Sequence, residues 1–471
     1  MESLTQKGRL RIRQSERKFI LLVGDFVVST LALLVALFFW SQKDALNFSW
    51  EFLGQRAPAW FYFLPFIWII LLISLYDIRR ANRHGEVLKG VATAAGVSIL
   101  IYLVVFFISE PNSLPRRGMA FFIAAATILT ILWRFLYIKI FTAPVFNRRV
   151  LVIGAGLAGT TLVSMASKVE PAPFDLVGYI DDDPEKLGID LFGCKVIGNG
   201  TQLLEKIKEL DITDLIFAIS GELNPDLFRA ILTAEEGGVE VSSLPTTYED
   251  LFGRVPVQLL QSDWILRSFL DQIHTDGMFE AIKRLADILI GVIGLCFLVA
   301  LFPFVALFIL LDSGRPIFYS QLRVGKNGNP YKIYKFRTMR SEGNNNGVGR
   351  MTSADDQRIT RFGRFLRRSH IDELPQMLNI LRGENSLVGP RAEQPELVNQ
   401  FQQQIPFYRA RLLVKPGLTG WAQINQRYAS TVEDTVVKLE FDLYYLKHRT
   451  LLLDFNILLR TIGAVLGLRG L

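Results

Sequence analysis

The chain has 471 residues, of which 50% are hydrophobic and 21% charged, and a formal net charge of +7. So apolar a composition excludes a purely soluble protein and so charged a one excludes a pure membrane bundle, so membrane-embedded and soluble parts are both expected, about three domains on length. Cys194 and Cys296 are its two cysteines, far apart, which excludes a disulfide framework and a zinc site. The basic excess lies beside apolar segments rather than on an aromatic-basic platform, which argues against nucleic-acid binding.

Polar and basic residues (Lys7, Arg9, Arg11, Arg13, Arg17, Lys18) precede the apolar run Phe19 to Trp40. That run is too long for a signal-peptide core and lacks a cleavage site, so a retained helix is expected. The runs Ala59 to Tyr76, Val87 to Ile108 and Met119 to Ile138 complete an expected four-helix transmembrane bundle over residues 1–143. The N-terminus and the loop Asp77 to Lys89 are more basic than Gln42 to Pro58, which places the N-terminus and the soluble domains in the cytoplasm; Arg116 and Arg117 weaken that inference without reversing it. No ionisable residue lies deep in these runs except Asp25 and Arg134, both near ends, which argues against transport through the bundle.

After Pro144 short strands alternate with helices. Arg149 to Ile153 reads as a strand leading into a G-x-G-x-x-G turn at Gly154, Gly156 and Gly159, and the strand Asp175 to Ile180 ends at Asp181, where a Rossmann fold places a ribose-binding acid. Further strands are expected at Asp214 to Ile219 and Val239 to Leu244, giving a Rossmann-like α/β domain over residues 144–274. Two readings of the turn stand: a cofactor-binding cradle formed by Gly154, Gly156, Gly159 and Asp181, or tight strand-to-helix packing in a structural or regulatory domain. A nucleotide-sugar oxidoreductase or epimerase would need a catalytic Tyr and Lys after these strands, and neither is found.

A fifth apolar stretch, Leu285 to Leu311, has basic flanks on both sides (Lys283 and Arg284; Arg315, Arg323 and Lys326), and Pro303 lies within it. A re-entrant helix, broken at the proline and returning to its own side, is expected over residues 275–314, with a kinked spanning helix as the other reading. Beyond it Arg361, Arg364, Arg367 and Arg368 alternate with Phe362, Phe365 and Leu366, a pattern for a helix lying on a membrane surface or for a solvated basic face. The run Leu451 to Leu471 carries Asp454 and Arg460 and reads as interfacial rather than spanning. Asn344 to Asn346, between glycines, marks a mobile loop.

The stretch RRSHIDELPQMLNILRGENSLVGPR, Arg367 to Arg391, carries the adjacent acids Asp372 and Glu373 between arginines. Leu374, Met377, Leu378 and Leu381 recur at i, i+3, i+4 and i+7, so a helix is expected from the pair to Gly383, with Pro375 in its first turn. Its N-terminal dipole would help to keep Asp372 ionised. The pair is either a phosphate- and metal-binding site or a helix cap with surface salt bridges.

Taken together, KFRTM (Lys335 to Met339), DELPQ (Asp372 to Gln376), VGPR (Val388 to Arg391) and KPGLTGWAQI (Lys415 to Ile424) closely resemble the bacterial sugar transferases known as monotopic phosphoglycosyl transferases, or polyprenyl-phosphate hexose-1-phosphate transferases. The spans and the Rossmann-like domain before them match the large form of that family. The resemblance implies a membrane protein of α plus α/β class whose mainly α-helical monotopic catalytic domain covers residues 315–471. It also implies transfer of a sugar 1-phosphate from a UDP-sugar to a polyprenyl (undecaprenyl) phosphate, releasing UMP and initiating exopolysaccharide, capsule or O-antigen synthesis. By this resemblance Asp372 matches the nucleophile of a covalent aspartyl-phosphosugar intermediate, Glu373 the acid that helps to hold Mg²⁺, and Arg367 and Arg391 the phosphate-binding arginines. Lys335 and Arg337 are further candidates for the anionic cradle. Implied partners are the UDP-sugar, the polyprenyl phosphate and inner-membrane lipids, with a homodimer as a candidate assembly. His370, Ile371, Glu384, Asn385 and Ala392 depart from the family's usual residues, so no sugar-specificity residue is carried over, and Lys415 and Trp421 either shape a nucleotide pocket or hold a structural loop. The alternative function is a catalytically inactive, membrane-anchored sensor or scaffold of a polysaccharide assembly complex.

Overall fold

The computed structural model describes residues 14–42, 47–109, 115–141, 148–169, 172–219, 224–259, 277–340, 358–426 and 431–466. The basic residues Lys7, Arg9, Arg11 and Arg13 and the loop Asn344 to Asn346 lie outside them. The chain divides into two compact units, Met1–Thr247 and Tyr248–Leu471.

In the first unit three helices, Gln14–Ser41, His84–Ile108 and Arg116–Phe141, contain stretches long and apolar enough to cross a membrane. The second expected span does not form as one helix. A 3₁₀ turn at Ala59–Phe63 follows Pro58, the α-helix Leu64–Leu71 stops where Leu72 leaves helical geometry (φ −84°, ψ 4°), and a further turn covers Ile73–Leu75. At 1.5 Å per residue such a piece falls well short of the ~20 residues that a hydrocarbon core requires. Asp25 and Arg134, expected near helix ends, are fully buried against each other: Arg134 Nη2 lies 2.5 Å from Asp25 Oδ2, and its Nη1 donates to the Leu75 carbonyl at 2.9 Å. A buried charge persists when it is paired in this way.

The same unit carries a six-stranded sheet: β1 (Arg149–Ile153), β2 (Asp175–Ile180), β3 (Asp190–Leu191), β4 (Cys194–Gly198), β5 (Asp214–Phe217) and β6 (Glu240–Ser243), in the order β3-β4-β2-β1-β5-β6. All neighbouring pairs are parallel except β3–β4 at the edge. β1 is an unbroken apolar run buried from Val150 onward, as a central parallel strand requires. β1 and β2 form where their sequences place them, β5 and β6 are shorter than expected, and β3 and β4 have no counterpart in the sequence reading. The strand order reverses at β1, so the crevice beyond its C-terminal end is where such a fold can take a ligand.

The longest helix of the second unit is Gly277–Ser313, of 37 residues. The expected break at Pro303 is not seen, and the helix continues through the proline. Neighbours compensate for the missing hydrogen bond by packing: Leu298, Val305 and Ile309 share a buried cluster with Phe336 and Leu366 of the head, and Phe302 stacks on Phe318, centroids 5.6 Å apart. Its other face exposes Leu289, Ile293, Phe297, Phe304 and Leu311. The head adds the antiparallel hairpin β7 (Phe318–Val324) and β8 (Pro330–Phe336), the basic helix Arg361–Arg368, and the parallel pair β9 (Ser386–Val388) and β10 (Gly417–Thr419). Its main core is built from Leu387, Leu397, Phe401, Tyr408, Trp421 and Leu439 with their neighbours. The last described helix, Leu451–Leu466, packs Ile457 into this core and buries Asp454.

Candidate active site

The acidic pair stands on a 3₁₀ helix, Ile371–Gln376, followed without a gap by the short α-helix Met377–Arg382. Gly383 ends the latter in the left-handed region (φ 81°), where the sequence places the stop. The expected single α-helix is thus split, with Pro375 in the 3₁₀ part, and no α-helical dipole is available to the pair. Chain entry is through His370, itself left-handed (φ 56°), an uncommon conformation for a residue other than glycine.

Asp372 is buried, and its Oδ1 has no hydrogen-bond partner. Burial, and next the charge of Glu373, push its carboxyl up to about 6, against Lys335, Arg367 and Arg391. The sequence expectation that a helix dipole keeps it ionised is therefore replaced: ionisation is opposed by burial and favoured by three nearby cations. Glu373 behaves in the opposite way. Burial would raise it, yet Lys335 and Arg391 hold its carboxyl well below the usual range. Lys335 Nζ donates to Glu373 Oε1 at 2.5 Å and Arg391 Nη2 to the same oxygen at 3.3 Å. His370 Nε2 is buried without a partner, and burial lowers the imidazole pKa, so the ring is neutral at pH 7.

Two side chains that the sequence does not single out align these groups. Asn379, fully buried, accepts from the Tyr334 amide at 3.3 Å and donates to the Lys332 carbonyl at 2.7 Å, so its amide pairs with β8 as another strand would. That contact fixes the acidic segment on the hairpin and brings Lys335 to Glu373. Arg411 donates to Asp442 Oδ2 at 3.0 Å, to the Tyr408 hydroxyl at 3.0 Å and to the Arg391 carbonyl at 2.8 Å, while Arg323 donates to the Ala392 carbonyl at 3.2 Å. The backbone around Arg391 is thereby held by one buried and one half-buried arginine, some 20 to 70 residues away in sequence. The glycines of VGPR and KPGLTG have one cause. A Cβ on Gly417 would stand 2.1 Å from the Gly389 nitrogen and one on Gly420 2.1 Å from the Gly389 oxygen, so the parallel strands β9 and β10 meet backbone to backbone at this end.

Arg367 donates from Nε to Thr338 Oγ1 at 3.0 Å, which seats it beside the pair. Arg337 instead serves the backbone, donating to the Met339 carbonyl at 3.0 Å and the Arg315 carbonyl at 2.6 Å. Asp372, Glu373, Lys335, Arg367 and Arg391 thus form one electrostatic cluster, and Arg337 ties the end of the motif that carries Lys335 to Arg315. Trp421 Nε1 donates to the Gly253 carbonyl at 2.7 Å inside the core.

The glycine turn of the α/β domain is engaged by its own chain. Asp181 accepts from the Ala155 amide at 2.7 Å and the Asp183 amide at 3.0 Å and pairs with Lys186 at 3.2 Å. A Cβ on Gly159 would stand 2.1 Å from the Gly154 oxygen, so this glycine is required by packing.

Among the described residues no group of three or more His, Cys, Asp or Glu could hold a metal ion. Magnesium is commonly bound through one or two carboxylates completed by substrate phosphates and water. Asp372 and Glu373, with an unpartnered oxygen on the former, fit an ion shared with a substrate rather than one caged by protein.

Residues 278–468 match the family model described as bacterial sugar transferase, and residues 71–245 match one described as CoA-binding domain. The chain is 40% identical over 248 residues to a UDP-N-acetylgalactosamine-undecaprenyl-phosphate N-acetylgalactosaminephosphotransferase of Aeromonas hydrophila, covering 53% of this chain and 56% of that one. It is 30% identical over 321 residues to the UDP-glucose:undecaprenyl-phosphate glucose-1-phosphate transferase of Escherichia coli (strain K12), covering 67% and 68% respectively. A sugar transferase of Bacillus subtilis (strain 168), EpsL, is 40% identical over 190 residues, which cover 40% of this chain and 90% of that one. The chain thus spans little more than half of the Aeromonas relative and two thirds of the Escherichia one.

Proposed function

The chain belongs to the bacterial sugar transferase family, and from that premise we propose that its head transfers a sugar 1-phosphate from a UDP-sugar to a polyprenyl phosphate. The observation that carries this reading is Asp372: a buried carboxylate with an unpartnered oxygen, among cations that bind its neighbour instead. In the reading, an Asp372 oxygen attacks the sugar-proximal phosphorus, forming an O–P bond while the diphosphate bridge breaks and UMP leaves with the bridging oxygen. A polyprenyl phosphate oxygen then attacks the same phosphorus, forming the diphosphate and releasing the Asp372 carboxylate. Splitting the transfer in two lets one site bring each anionic partner to the phosphorus in turn.

Arg391 and Arg367 supply guanidinium donors for phosphate oxygens. Lys335 holds Glu373 ionised and oriented toward the pair. A pKa near 6 leaves Asp372 mostly ionised at pH 7 to 8 yet more basic than an ordinary carboxylate, which suits a nucleophile. A bound Mg²⁺, held by Glu373 with substrate phosphates, would offset the negative charge around the phosphorus.

The head works at the cytoplasmic face of the bacterial inner membrane in this reading. For the helix Gly277–Ser313 to enter and return to that face in this reading, it must bend within its continuous length, and Pro303, which removes one hydrogen bond of the ladder, is where such a bend costs least. Relatives named for N-acetylgalactosamine and for glucose leave the donor open. The test is UMP release by the purified full chain with polyprenyl phosphate, Mg²⁺ and a panel of UDP-sugars, with mass spectrometry for a phosphosugar on Asp372. Release with one donor and its loss in Asp372→Asn support the reading; no release with any donor, or an Asp372→Asn variant as active as wild type, overturns it. Cysteine labelling on both sides of Gly277–Ser313 tests the return of that helix separately.

A further inference from the structure

A second basic cavity opens in the head, at the foot of the long helix and apart from the acidic pair. Its wall is made by the first turns of Gly277–Ser313, the turn between β7 and β8, and the segments around β9 and β10, around a small cavity of about 20 Å³ that is partly open to solvent. Five cations and two acids line it. Four of the seven are committed: Arg449 pairs with Glu280 at 2.6 Å, Lys283 with Asp454 at 2.5 Å, and Asp287 accepts from Ser386 Oγ at 3.1 Å and from the Leu387 amide at 2.9 Å. Arg284, Lys326 and Lys415 remain without a carboxylate.

Arg284 donates to the carbonyls of Ile380 and Leu381 at 2.6 and 2.7 Å, which orient it and leave its charge unbalanced. Lys415 Nζ and Arg284 Nη2 converge on one point, each 3.5 Å from where a Cβ on Gly383 would stand. Neither the Lys326 nor the Lys415 ammonium has a hydrogen-bond or ion-pair partner among the described residues. Burial, and then Arg284, hold the Lys415 ammonium below its usual range against the opposing pull of Asp287 and Glu280. Against Asp287 the three leave an excess of two positive charges, the complement of a phosphate dianion.

We propose that this cavity is an anion site that takes a phosphate group, held by Lys415, Arg284 and Lys326. It is separate from the acidic pair: from Asp372 to Leu381 the chain runs along consecutive helical turns, about 15 Å of rise. It lies where the exposed apolar face of the long helix begins, at Leu285 and Leu289, the level at which phospholipid headgroups would stand beside a membrane helix. The phosphate is that of an anionic lipid headgroup or a free one, and the site does not depend on the transferase reading.

The experiment uses the full chain in detergent. Thermal unfolding is followed against inorganic phosphate at constant ionic strength, and phosphatidylglycerol retained by the purified chain is counted by native mass spectrometry. Wild type, Lys326→Gln/Lys415→Gln and Arg367→Gln/Arg391→Gln are compared. The lysine double variant is expected to bind phosphate roughly tenfold more weakly, whereas a phosphate response persists without the two arginines. Lys415→Arg restores the response, and Lys326→Gln alone, on an exposed turn, gives part of the loss even if the double variant folds poorly. Retention of phosphatidylglycerol by wild type but not by the lysine variant assigns the site to lipid; equal retention with a lost response to inorganic phosphate assigns it to free phosphate. The proposal is overturned if the lysine variant keeps both the phosphate response and the lipid.

Discussion

Two regions of the molecule carry glycines beside an aspartate, and they differ in what the aspartate does. In the α/β domain Asp181 is closed on its own turn by two backbone amides and Lys186. In the head Asp372 keeps a buried oxygen without a partner, and the nearby cations bind Glu373. The glycines themselves are alike, each allowing two backbone segments to meet. What separates a fold-holding turn from a reactive site is a charged group whose own chain leaves it incompletely satisfied, because that group retains free energy to offer a ligand.

The sharpest break of this comparison is to exchange the roles. Asp372→Asn should lower UMP release by about 10³-fold or more, the scale of losing a nucleophile, with the thermal midpoint little changed; a small loss would mean that the carboxylate is no more reactive than Asp181. Asn379→Leu should destabilise the head by about 3 kcal/mol, since it strands the Tyr334 amide and the Lys332 carbonyl, and denaturant unfolding reads this directly. Should Asn379→Leu leave stability intact, alignment of the pair does not run through β8.

A third carboxylate asks whether burial alone marks a site. Glu440 is buried and accepts from the Tyr248 hydroxyl at 3.2 Å, with Arg254 3.4 Å away, yet burial pushes it up to about 7. Its folded pKa exceeds the unfolded one, so its contribution is full below about pH 4.5 and is lost as pH rises through 7. Wild type should therefore lose about 2 kcal/mol between pH 5 and 8 relative to Glu440→Gln, read as a narrowing difference in thermal midpoints toward acid. A pH-independent difference would put the shift down to something other than this carboxyl. The smallest effect is expected at Asp181→Ala, about 1 kcal/mol from two amides left without their acceptor, with UMP release within about twofold of wild type. A loss of activity comparable to Asp372→Asn would erase the distinction between the two regions.

What the sequence made legible was local. β1 and β2 follow from apolar runs bounded by glycine and aspartate, and the stop at Gly383 from the need for a left-handed residue. The pair Asp372–Glu373 and the arginines Arg367 and Arg391 could be named because they sit in one short stretch. Long-range pairing was hidden: nothing in the Lys335 neighbourhood says that its ammonium meets Glu373, 38 residues away, or that Asn379 acts as a strand. The second apolar run was read as a span because composition registers hydrophobicity and not the interruption at Leu72. Pro303 was expected to break its helix, but packing against the head outweighs one lost hydrogen bond. The dipole argument at Asp372 failed because an apolar periodicity of three to four residues does not distinguish a 3₁₀ turn from the start of an α-helix.

The buried pair of Asp25 and Arg134 has a consequence for how the protein is made. Asp25 is synthesised 109 residues before its partner, which at about 5–20 residues per second is a wait of roughly 5 to 20 s. During that time the first helix holds an acid with no counter-charge, and hydrocarbon rejects such a group. Stable residence of that helix in lipid therefore depends on the arrival of Arg116–Phe141, so the N-terminal helices mature as a set after translation of the last.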